Sequence, residues 1–144
     1  MKKRFLGLLV SLSLLIAFGV NAGAACVAQE VIDLGDGFTM TVVTEDAKIQ
    51  PYASSKSKTK TATVVYSGTT VGKFSLTGYF AYNGSTATAT DADWDATSYG
   101  SWDYKNGSAS YSGAKVSGKC TFYNGSVSKT ASLSMTCSKD GTIS

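Results

Sequence analysis

The chain has no histidine, one proline (Pro51) and three cysteines (Cys26, Cys120 and Cys137) in 144 residues. Without an imidazole no Ser–His–Asp or Cys–His pair can be built, which removes triad hydrolysis. Zinc would have to rely on cysteine or carboxylate alone, and no C-x-x-C spacing is present, so no zinc site is expected. Arginine occurs once, at Arg4. Past residue 20 no apolar run approaches the roughly 20 residues that a membrane-spanning helix requires. An amphipathic helical pattern is also missing from the rest of the chain.

Lys2, Lys3 and Arg4 precede an apolar stretch at 5–20 that ends in small residues. That three-part layout predicts a secretory signal peptide over 1–28 and hence an extracellular or cell-surface protein. The formal charge of +3 belongs to this segment, because the remainder holds ten lysines against ten acids. A neutral mature chain has no basic footprint for nucleic acid and no electrostatic pull toward an anionic membrane. Ala22-Gly23-Ala24 offers a cleavage site that keeps Cys26, whereas Cys26-Val27-Ala28 permits one that discards it. Gly23-Ala24-Ala25-Cys26 is similar to a lipobox but has Gly where Leu is usual.

Residues 29–44 read as a leader strand, with Phe38, Met40 and Val42 alternating against Thr39, Thr41 and Val43. The stretch to Lys58 holds Pro51 and a Ser/Lys-rich run, so 29–58 is expected to be an N-terminal strand and linker, or a propeptide. A β domain then fills 59–144. Asn-Gly-Ser occurs at 83–85, 106–108 and 124–126. Asn-Gly between alternating runs is the sequence of a type I′ hairpin turn, so three hairpins are expected there. A turn at Asn124-Gly125 would pair Phe122 with Val127 and Val116 with Leu133, placing both apolar sets on one face. About seven short antiparallel strands with one dry face predict an all-β fold, a small sandwich that is Ig-like in outline. Lys56, Lys58 and Lys60 would share one face of a solvated edge strand; the alternative is contact with an anionic wall polymer.

Cys120 and Cys137 invite a disulfide, but that hairpin sets them over 25 Å apart at ~3.3 Å per residue, far beyond a bridge. Bridge, buried thiols and pairing with Cys26 stay open. Asp91, Asp93 and Asp95 alternate as calcium ligands do, yet an EF-hand would need Gly at Ala96 and Glu at Trp102. A strand with these carboxylates in water and Ala92, Trp94 and Ala96 inward explains the run, so no metal is expected. Trp94, Tyr99, Trp102, Tyr104 and Tyr111 form one aromatic-rich segment. Buried, they would supply core; exposed, the first four would make a platform for sugar or for a protein partner.

The signal peptide, Ile49-Gln50-Pro51-Tyr52, GYFAYNGSTATAT (78–90) and KTASLSMTCSKDGTIS (129–144) together resemble a group of small secreted proteins of Gram-positive, often gut-associated, bacteria. The likeness covers about residues 46–144. Members of the group often carry a cysteine soon after the Asn-Gly-Ser turn, but none stands at Thr86 to Thr90, so the resemblance supplies no partner for Cys137. It implies no activity. The expectation is a secreted non-enzymatic β-sandwich, without cofactor, that binds a cell-wall glycan or surface protein. The alternative is a bacteriocin-like or toxin-like antagonist.

Overall fold

A computed structural model describes residues 28–46 and 55–144. The segment expected to be a signal peptide, up to Val27 and including Cys26, and Pro51 lie outside the described residues. The strands are β1 (Ala28–Gly35), β2 (Phe38–Asp46), β3 (Ser55–Tyr66), β4 (Thr69–Tyr82), β5 (Ala87–Ser98), β6 (Asp103–Ser112), β7 (Lys115–Asn124) and β8 (Val127–Thr136). They form two antiparallel sheets in sequential order, β1-β2-β3-β4-β5 and β6-β7-β8. The small sheet covers part of the large one, with β7 over β4 and β5 and β8 over β3 and β4. The all-β sandwich is as expected, with eight strands among the described residues instead of seven. Its likeness to an immunoglobulin domain stops at that outline, because the strands run as a meander without a Greek-key crossing.

Alternation builds the core. Phe38, Met40, Val42, Ala62, Val64, Phe74, Leu76 and Phe80 from one sheet meet Val116, Cys120, Phe122, Ala131, Leu133 and Met135 from the other, all buried. Burying each large apolar side chain contributes about 1.5–3 kcal/mol. The outer faces carry hydroxyls, with ladders such as Thr59–Thr77 and Thr61–Ser75, both at 2.9 Å.

The turns differ from the sequence reading in an instructive way. Asp36-Gly37 and Ser67-Gly68 both have two positive φ angles, the type I′ requirement, and close β1–β2 and β3–β4. The leader is therefore a hairpin of two strands. It belongs to the sandwich: β2 pairs with β3 from Phe38–Tyr66 to Asp46–Lys58 and supplies Phe38, Met40 and Val42 to the core. Residues 55–58 of the expected linker open β3, while 47–54 lie outside the described residues.

At the two Asn-Gly-Ser hairpins the central pair is Gly-Ser, with positive φ at Gly84 and Gly125 and at neither neighbour. Glycine in the first central position is the type II′ signature. Asn124 therefore pairs with Val127 and Val116 with Met135, two residues from the expected register. The apolar sets stay on one face because the pairing moves by an even number of residues. The third site makes no turn. Asn106-Gly107 is a β-bulge within β6, where Lys105 opposes Thr121 and Ser108 opposes Lys119.

Lys56, Lys58 and Lys60 also depart from expectation. Opposite Phe80, Gly78 and Leu76, they lie on the inner face of a central strand. Their ammonium groups donate to Gly141 O and Ile143 O, in the chain beyond β8, and to Ser134 O of β8 in the other sheet, each at 3.0 Å. Their aliphatic stems can lie against apolar surface while the charged ends reach the rim. The row covers carbonyls along the free side of β8 and the chain that folds back beside it, which blunts that edge.

Half-buried Lys60 has its pKa lowered by burial first and then by Lys58, with Glu30 opposing. The folded form thus holds this proton less tightly than the unfolded chain, so its contribution to stability improves as pH rises toward the ordinary lysine value. Lys60→Met is expected to match or exceed wild-type stability at pH 7, with the margin narrowing toward pH 10. Paired thermal melts across that range check it; a variant destabilised by more than about 1 kcal/mol at pH 7 would show the carbonyl bond to dominate.

Candidate functional site

The large sheet ends at β5 and the small one at β6, joined by the short connection at residues 99–102. These two strands contact each other without sharing a ladder, leaving a seam along one side of the sandwich. Trp94 opposes Leu76 and so points to the core side of β5. Its indole lies across Gly107, where an added Cβ would fall 2.2 Å from the ring. The bulge puts that glycine under the ring: two residues, Asn106 (φ 55°) and Gly107, stand opposite the single Cys120 position. The indole also approaches Phe74, with centroids 6.4 Å apart, yet Trp94 stays 36% exposed.

Tyr104 opposes Phe122 and Tyr111 opposes Val116, which sets both on the core side of β6. Because β6 is an edge, they remain 39% and 51% exposed. Six positions of β7 separate their partners, or about 20 Å at 3.3 Å per residue. Gly107, with Trp94 over it, falls between them. The seam thus carries three accessible rings in a row, backed by half-buried Ala92, Ala96 and Ala109.

The predicted platform is therefore divided. Trp94 and Tyr104 reach the seam. Trp102 is instead half-buried against Phe38 (6.0 Å, 89°) and Tyr66 (5.5 Å, 58°), as part of the core. Tyr99 donates its N–H to Val71 O at 3.0 Å and lines a shallow depression with Thr63, Thr70 and Lys73. Tyr111, though in the same aromatic segment, belongs to the row, and Gly107 was legible only as a turn residue. A second shallow depression of about 350 Å³ lies among Ser108, Ser110, Ser117, Lys119, Ser132 and Ser134.

Asp91, Asp93 and Asp95 face solvent opposite Tyr79, Thr77 and Ser75. Asp91 and Asp93 each accept the N–H of the next residue at 2.8 Å. Among the described residues no group of three His, Cys, Asp or Glu side chains is placed to hold a metal ion. Cys120 and Cys137 are buried free thiols, not a bridge. Cys120 opposes Ala131, and Cys137 continues the chain six residues on, about 20 Å away at 3.3 Å per residue. No helix among the described residues is long and apolar enough to cross a membrane. No family model, no curated protein and no solved structure matches the chain.

Proposed function

We propose that this is a secreted, non-enzymatic β-sandwich that binds a cell-surface glycan along the β5–β6 seam. The observation that carries the reading is the row of three accessible rings, Tyr104, Trp94 and Tyr111, on one open side of the fold. Ring faces stack on the apolar faces of sugars, and the open shape suits a polymer passing along it. A neutral glycan is in keeping with the balanced charge of residues 29–144.

Affinity electrophoresis of the secreted chain through gels containing bacterial wall polysaccharide tests this. Trp94→Ala and Tyr111→Ala should each weaken binding roughly 2- to 10-fold, the equivalent of about 0.5–1.5 kcal/mol per ring. The Tyr104→Ala/Trp94→Ala/Tyr111→Ala combination should abolish it, and Tyr99→Ala should leave it unchanged. Retention of full binding by the triple variant would overturn the assignment. So would capture of a surface protein with no retardation by any polysaccharide.

A further inference from the structure

The outer faces of the two sheets carry opposite charge. On the large sheet, register places Asp33, Glu45, Asp91, Asp93 and Asp95 outward, with Lys73 as the lysine among them. On the small sheet the outward charges are Lys105, Lys115 and Lys119, with Asp103. Asp91, Asp93 and Asp95 form a stripe along β5; Lys115, Lys119 and Lys105, which stands opposite Thr121, form one along β7 and β6. Four positions span the acidic stripe and six the basic one, about 13 Å and 20 Å at 3.3 Å per residue, so the two can overlie each other.

We propose that the basic outer face of the small sheet docks on the acidic outer face of the large sheet of a second copy of this chain. All six stripe residues are exposed. Lys115 and Lys119 have no ion-pair partner among the described residues. The carboxylates of Asp91 and Asp93 are pinned to their own strand by one oxygen each, which leaves the other free at little entropic cost. Much of the rest of both faces is short hydroxyl side chains, such as Thr61 and Ser75 on the large sheet and Ser132 and Ser134 on the small one, which limits steric obstruction between the stripes.

The contact joins two different faces, so it is heterologous and does not close on itself; it generates chains of copies, not a dimer. The small sheet limits its size. Three strands of ten residues present about 14 Å by 33 Å, so roughly 900 Å² is buried across both partners. That falls below the ~1,200 Å² of stable complexes, which makes the association weak, reversible and sensitive to salt. The β5–β6 seam lies on neither face and stays open, so a chain of copies would present the ring row repeatedly.

Sedimentation velocity of the secreted chain, without added glycan, tests the proposal. At about 20 mM salt the weight-average sedimentation coefficient should rise with concentration, and at 0.5 M salt it should stay at the monomer value. Two charge-reversed variants, Asp91→Lys/Asp93→Lys/Asp95→Lys and Lys105→Glu/Lys115→Glu/Lys119→Glu, should each be monomeric alone and associate when mixed. Circular dichroism melts establish that both are folded, and placing both sets in one chain should restore association if either variant folds poorly alone. Trp94→Ala should associate as wild type does, which separates failure here from failure of the glycan reading. A wild-type monomer at all concentrations at low salt, or a mixture that stays monomeric, would overturn the proposal.

Discussion

Replacing Gly72 with alanine is expected to destabilise the fold by about 3 kcal/mol, the upper end of what overpacking a core by one methyl group costs. Gly72 lies on β4, buried, with its Cα facing the small sheet's Phe122. A Cβ there would fall 2.1 Å from the ring of Phe122, which is itself wholly buried. That ring cannot give way cheaply in an interior packed as densely as an organic crystal. The increment should therefore shrink by more than half in a Phe122→Leu background, where the ring is gone. A double-mutant cycle on urea unfolding reads this coupling directly, and an unchanged slope with denaturant would confirm that only stability moved. Gly72→Ala within 0.5 kcal/mol of wild type would show that the sheets can part locally.

Much of this fold was legible because β alternation has period two. Phe74, Leu76, Phe80, Val116, Phe122, Leu133 and Met135 are all buried as their spacing requires. What the sequence specified less tightly was register. Asn124-Gly125-Ser126 admits either Asn-Gly or Gly-Ser as the central pair, and only backbone angles decide between them. The neglected signal was Asp36-Gly37, whose turn chemistry is as strong as that of Asn-Gly but which lies in a segment read as one strand. Lys56, Lys58 and Lys60 misled for a different reason. Alternate lysines look like a solvated face, but a four-carbon stem lets an inward position send its charge back to the rim.

The seam was the least legible feature. Trp94 and Tyr104 were candidates from composition, but their grouping with Tyr111 depends on β5 and β6 lying at the edges of different sheets. No local pattern encodes where a meander changes sheets. The bulge at Asn106-Gly107 compounds this, because the dipeptide that elsewhere stands at a hairpin tip here opens space for an indole on a neighbouring strand. Trp102, eight residues from Trp94, points into the aromatic cluster with Phe38 and Tyr66 instead.

The two core thiols are expected to be nearly inert in the native protein, with a disulfide-exchange reagent at pH 8 reacting on the order of 10³-fold more slowly than with the urea-unfolded chain. Cys120 is wholly buried, and burial pushes its thiol up to about 11. That alone leaves about a hundred-fold less thiolate than a free thiol carries, and only the thiolate attacks. Cys137, also buried, is raised in the same direction, with Lys56 opposing. Reagent access then requires opening of the sandwich, which costs several kcal/mol in a domain of this size. Both groups hold their protons more tightly folded than unfolded. Their contribution to stability is therefore complete below the ordinary thiol pKa and declines as pH rises above it, for Cys120 from about 9 toward 11. Titration with the reagent should count two thiols from Cys120 and Cys137 after unfolding without a reductant, and none beforehand. A reductant-dependent count would reveal a bridge and would require β7 and the end of β8 to move together by more than 10 Å.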